Sequence, residues 1–336
     1  MARPTSTLPG AWQILALVSG GSTLALEVAW LKRFSQVLGA DIPALTAVTA
    51  ALFLGLAAGN TIAARIAARV ASPLRAFSAV EIGVAAAAAL TLPALAWLPA
   101  FLAPLYPGHP TFAFELLRFV GASSILLAPT TLMGIGLPLL TEAARRRRGT
   151  PGESFNRLYA ANTIGAALGC LVAGFVLIPN LGVTLGLVAA TIGHAANALF
   201  ALRLAAGASE EHAAESSPRP SKARTAPTAA TAPAPPRGLA VLFPFLLGVP
   251  TIVYEATWSR SLVLILGSTT YAYSILLAVF ILGLGLGPLL VARATDRVRQ
   301  PWAWVAGLQF AIAISAFGVK VLVGRLPLWV GEPLAR

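Results

Sequence analysis

An all-α, polytopic membrane bundle of about nine transmembrane helices is the fold class this sequence predicts, and three observations predict it. First, 57% of the 336 residues are hydrophobic and 11% are charged, against about 25% charge in an ordinary soluble domain. Second, apolar runs of roughly 20 residues recur along the chain, the length that crosses a bilayer core at about 1.5 Å per residue. Third, Lys and Arg gather at the ends of those runs, so the net charge of +12 marks loops beside a lipid bilayer and not a nucleic-acid surface. A cluster such as Arg145 to Arg148 beside an apolar run reads as a cytoplasmic anchor.

The apolar segments fall at 11–31, 42–66, 75–103, 112–140, 154–178, 182–203, 239–258, 270–293 and 302–323. The first follows MARPTSTLPGAWQ and continues to charged residues without a small-x-small cleavage site, which predicts a retained helix. Residues 204–238 are rich in Pro, Ala, Ser and Thr and have no apolar period. They read as a cytoplasmic linker between a six-helix unit, 1–203, and a three-helix unit, 239–336. With the N-terminus inside, Arg65, Arg69, Arg75, Arg145 to Arg148, the linker, Arg293, Arg297 and Arg299 all fall on the cytoplasmic side. YPGHP at 106–110 and PNLG at 179–182, which lack Lys and Arg, fall outside. Nine crossings then place the C-terminus in the periplasm of a cell with an inner membrane.

The two units look alike. At an offset of 228 residues Gly20 falls on Gly248, Thr23 on Thr251, Glu27 on Glu255 and Trp30 on Trp258. Gly39 falls on Gly267, Gly55 on Gly283, Gly59 on Gly287, Arg65 on Arg293 and Arg69 on Arg297. Shared Glu, Trp and Arg at a single offset are not a product of apolar low complexity. Both copies begin on odd-numbered helices, so the repeat is expected to be parallel, about an axis along the membrane normal. The second half stops after three helices. Either the chain is a truncated relative of a larger protein, or a membrane partner supplies the rest.

A carboxylate inside a membrane helix is costly and directs attention to function. Glu27 precedes Trp30 by three residues and Arg33 by six, and Glu255 precedes Trp258 by three and Arg260 by five. Two readings stay open. Each Glu lines a cavity that receives a small cationic or hydrogen-bonding group, or each sits near the outer interface and pairs with Lys32, Arg33 or Arg260 while Trp30 and Trp258 join an aromatic belt. Glu81, a turn and a half inside the third segment, is expected to meet loop arginines. Glu115 and Arg118, three apart, form a local pair, and Asn162 is expected to bond across to another helix. His194 reads as a core hydrogen-bonding residue and not a metal ligand.

Glycines four apart predict close helix contacts: Gly55 with Gly59, Gly165 with Gly169, and Gly283 with Gly287. Gly134 belongs to the same class, and Pro129 and Pro138 favour a kink in the fourth helix. The single cysteine, Cys170, excludes a disulfide framework. No strand-to-helix GxGxxG, no HExxH and no nucleophile elbow occurs. Neither cofactor nor metal is implied, and no catalytic activity is expected from this chain alone.

Taken together, these residues resemble the membrane portion of bacterial spermidine synthase-like proteins, also described as fused major facilitator–spermidine synthases. The resemblance rests on Glu27 with Trp30; on Gly55, Gly59 and Arg65; and on PTTLMGIGLPLL with Pro129, Met133, Gly134 and Pro138. RLYAANTIGAALG at 157–169, GFVLIPNLG at 174–182, and YEATWSR and LGSTTYAYS within 254–274 add to it. It covers the chain apart from the linker. It implies a major facilitator-like bundle followed, in the family, by a cytosolic aminopropyltransferase-like domain that carries the synthase chemistry. Residues for that chemistry are absent from this sequence. The loop at 65–75 has the basic character of the facilitator helix two-to-three loop but lacks its aspartate; Asp296 comes nearer in the second copy. Two functions follow as expectations: a transporter-like module that moves or senses a small organic cation, or a non-transporting anchor or scaffold for a separate synthase domain.

Overall fold

Within a bilayer every backbone N–H and C=O needs a partner inside the protein, and a helix supplies one to each without help from its neighbours. The computed structural model accordingly is all helical over the residues it describes, which are 9–38, 42–109, 111–148, 151–214, 237–266, 270–295 and 301–334. Its helices are α1 (Pro9–Leu38), α2 (Ile42–Ile66), α3 (Pro73–Leu102), α4 (Phe112–Arg148), α5 (Pro151–Val172), α6 (Ile178–Ala214), α7 (Arg237–Leu266), α8 (Thr270–Thr295) and α9 (Pro301–Leu334). Short 3-10 turns follow α2 and α3, and a π-helical segment, Ala173–Leu177, joins α5 to α6. Among the described residues seven stretches are long and apolar enough to cross a membrane. One of them, Phe155–Gly207, contains both α5 and α6, and α7 contributes the shorter apolar stretch Phe245–Glu255. The protein is a polytopic membrane helical bundle.

Contacts between helices give their directions. Gly165 meets Leu17 and Gly169 meets Gly21, so α1 and α5 run parallel; Gly55 meets Thr130 and Gly59 meets Gly134, so α2 and α4 do too. Asn197 bonds to Leu15 while Gly193 touches Ser22, which makes α6 antiparallel to α1. Cys170 meets Ser274 and Thr163 meets Gly285, which makes α8 antiparallel to α5. The chain therefore reverses between α5 and α6, and it does so near Gly182, whose φ of 78° is a conformation that a Cβ disfavours.

α1 threads the centre. Its first turns, Trp12, Leu15 and Ala16, share an apolar cluster with Ala63, Phe77, Leu139 and Leu158. Its later turns, from Leu24 to Phe34, enter a second cluster with Leu52, Leu95, Leu126, Cys170 and Leu277. Around this core α8 rests on α5, whereas α9 is exposed to its surroundings along its described length. The starts of α7, α8 and α9 each lie 228 residues after the starts of α1, α2 and α3.

Several sequence expectations are adjusted here. α6 continues to Ala214, past the expected start of the linker, and residues 215–236 of that linker lie outside the described residues. α4 continues as one helix through Pro129 and Pro138. The hydroxyls of Thr130 and Thr141 turn back onto the Leu126 and Leu137 carbonyls at 2.6 and 2.9 Å. Gly55 and Gly59 do seat α2 on α4: a Cβ at either would overlap Thr130, Thr131 or Gly134. Gly165 and Gly169 do the same for α1 on α5. Among the described residues their expected counterparts Gly283 and Gly287 have nothing within 4 Å of a Cβ built at either; the glycine of α8 that packs there is Gly285, against Thr163.

Candidate functional site

Two polar groupings interrupt the apolar interior, and both involve α1. The first lies between its two hydrophobic clusters. Glu81 of α3 is 2% exposed, and a carboxylate so enclosed needs donors on its lone pairs. Ser19 of α1 donates to Oε1 at 2.6 Å. Asn197 of α6 donates to Oε2 at 3.2 Å and, with the same amide nitrogen, to the Leu15 carbonyl at 3.1 Å. His194 of α6, 1% exposed, sets Nδ1 at 2.9 Å from Oε2. Three helices are thus joined through one carboxylate. One turn away, Ser78 donates to the Ala198 carbonyl at 2.8 Å and ties α3 to α6 again. The expected meeting of Glu81 with loop arginines does not occur: the loops lie beyond a turn and a half of helix, and its bonding partners among the described residues are Ser19, His194 and Asn197.

The second grouping gathers four helices. Glu27 of α1 and Glu255 of α7 lie close enough for their charges to act on one another. Tyr273 of α8, half-buried, lies within electrostatic range of both, and Cys170 of α5 within that of Glu27. The Cys170 thiol donates to the Ser274 carbonyl at 3.3 Å, which fixes it to α8. Glu255 Oε2 is buried without a hydrogen-bond partner. Among the described residues neither glutamate forms an ion pair.

That geometry departs from an interfacial role for Glu27 and Trp30. α1 runs on to Leu38, so Glu27 stands 11 residues, about 16 Å, from its C-terminal end. Trp30 is fully buried and donates its indole N–H to Thr91 of α3 at 3.0 Å, which places it in the core and not in an aromatic belt. Arg33 turns to Gln36 at 3.4 Å, not back to Glu27. Trp258 is half-buried, and the side chain of Arg260 lies outside the described residues. Asn162 lays its backbone carbonyl and its side-chain Oδ1 against Gly20, at the close approach of α1 and α5.

Toward the helix ends three ion pairs, on two glutamates, secure the frame. Arg118 and Glu115 pair at 2.7 Å as their spacing predicts. Glu142 holds Arg145 and Arg146 at 2.7 and 2.8 Å. Arg146 then extends its fork to the Ala71 and Ala68 carbonyls at 3.1 and 3.0 Å, closing the turn between α2 and α3. The arginine run is therefore structural as well as positively charged.

Ser19, Asn197 and Tyr273 carried no signal in the sequence. Ser and Asn are ordinary small polar residues in a helix, and Tyr273 has Leu45 at the matching position of the first unit. Among the described residues no group of three or more His, Cys, Asp or Glu could hold a metal ion. No protein-family model matches the chain, and no curated protein or solved structure matches it either.

Proposed function

We propose that this protein is a membrane module that binds a small organic cation between α1 and α7, at the paired carboxylates of Glu27 and Glu255, as a transporter-like carrier or sensor. One observation carries the reading: two half-buried glutamates 228 residues apart lie within electrostatic range of each other, with no basic partner among the described residues. Two like charges near one another in an apolar setting repel, and each is half-buried. An entering cation relieves both costs at once, and Tyr273 offers a hydroxyl and a ring face beside it. The resemblance to the membrane portion of spermidine synthase-like proteins makes amines the first class to try.

The common spacing of helix starts supports the parallel repeat. The scaffold reading requires the glutamates to be held by interfacial basic side chains, and the position of Glu27 favours the carrier instead.

The test is uptake of labelled mono-, di- and polyamines into proteoliposomes holding the full chain. E27Q and E255Q are each expected to lower uptake at least about tenfold for the amine that wild type moves, while S35A leaves it unchanged. Equal uptake by wild type and both variants would remove the carrier reading.

A further inference from the structure

The grouping at Glu81 is separate from the one at Glu27: the two lie eight residues, about 12 Å, apart along α1. Its hydrogen atoms can be counted. An ionised Glu81 only accepts, so the Ser19 hydroxyl, the Asn197 amide and the His194 Nδ1 must all point their hydrogens toward it. The Asn197 orientation is set independently, since the same NH2 group also donates to the Leu15 carbonyl. With Nδ1 carrying hydrogen, a neutral His194 has a bare lone pair at Nε2. That atom is buried and has no partner among the described residues, and the same holds for Asn197 Oδ1. In this state the site holds one uncompensated negative charge in the core, the costly arrangement for a buried carboxylate. One further proton, on Nε2, converts the site to a neutral His⁺–Glu⁻ pair without disturbing any hydrogen bond already made.

We infer that Glu81 and His194 form a proton-binding site, which takes up one proton from water at His194 Nε2 and releases it there. The titratable members are Glu81 from α3 and His194 from α6. α1 faces them with Ser19, α6 with Asn197, and α4 with Gly136, where a Cβ would meet Glu81 Oε1 at 3.8 Å. Among the described residues no Lys, Arg, Asp or second Glu bonds to either member. A carboxylate is not something this position of the helix demands: the residue at the repeat offset is Gln309, which is uncharged and exposed. Because Ser19, Glu81 and His194 belong to three helices, loading the proton alters the force that holds α1, α3 and α6 together.

The full chain in lipid nanodiscs, with His109→Gln and His212→Gln so that His194 is the sole histidine, allows 15N NMR of a single imidazole. The spectrum is expected to show the Nδ1–H tautomer in alkaline solution and the doubly protonated ring in acid. E81Q removes the charge that favours the proton and is expected to shift the midpoint acidward by at least about one pH unit. S19A is the milder change should E81Q not fold. It takes one donor from the carboxylate and moves the midpoint alkaline. An imidazole spectrum that stays constant from alkaline to acid solution, or a midpoint that neither variant moves, would overturn the proposal and leave a fixed structural hydrogen bond.

Discussion

Trp30 donates to Thr91 across the α1–α3 interface at 3.0 Å, and Thr91 in turn donates to the Ala88 carbonyl of its own helix at 2.6 Å. The threonine hydroxyl is therefore used in both directions, and the indole N–H is satisfied where no water reaches. Interhelical bonds of this kind in a bilayer contribute on average about 0.6 kcal/mol, because the separated helices find other partners. A W30F/T91V double-mutant cycle in a reversible unfolding assay is expected to give a coupling of about 0.6 kcal/mol. A coupling of zero would show that Trp30 serves α1 by bulk alone.

Gly55 and Gly59 set the distance between α2 and α4, whereas Gly283 and Gly287 have no close neighbour among the described residues. G59A should force Thr131 and Gly134 aside and cost about 1–3 kcal/mol, the usual range for overpacking. G287A should change stability by less than about 0.5 kcal/mol. Thermal unfolding of the two variants beside wild type checks the contrast, and equal losses would contradict it.

Glu81 accepts hydrogen bonds from Ser19 and Asn197 and shares a third with His194 Nδ1. E81A leaves those donors in an apolar core with nothing to receive them, and each buried unsatisfied group costs about 1–3 kcal/mol. The variant is expected to melt well below wild type, while E81Q, which keeps one acceptor, falls between them. A ranking with E81A above E81Q would mean that the carboxylate is not held by these donors.

Arg146 joins the end of α4 to the turn after α2 through the Ala68 and Ala71 carbonyls. R146A should raise amide hydrogen exchange over residues 66–76 and leave α5 and α6 unaltered. R146K should behave as R146A does, because an ammonium cannot span both carbonyls and Glu142 with a planar fork. Unchanged exchange in both variants would contradict the bridging role.

Much of the frame was legible in the sequence. The apolar run at 42–66 is α2 residue for residue, and the starts of α4 and α8 coincide with the segments that predict them. Length and apolar content decide where a membrane helix lies, and both are local properties. Rotation about each helix axis is not local. In a soluble helix a polar face shows which side looks inward, but here lipid and core are both apolar, so Trp30 and Glu27 could be assigned to the interface with equal logic. The partners of Glu81 are likewise out of reach of spacing rules, since His194 and Asn197 arrive from 113 and 116 residues away. Glycine pairs were only half informative. Gly55 and Gly283 have the same local sequence signal, and only the presence of α4 against the first distinguishes them.

The central claim, that Glu27 and Glu255 together receive one cation, is tested most directly by equilibrium binding of a labelled amine to the full chain in nanodiscs. Wild type is expected to bind one amine per chain. E27Q and E255Q should each weaken binding by about tenfold or more, and the double variant should be little worse than either single one, since both carboxylates hold the same ligand. Binding that is unchanged in both single variants, or absent from wild type for every amine tried, would contradict the account.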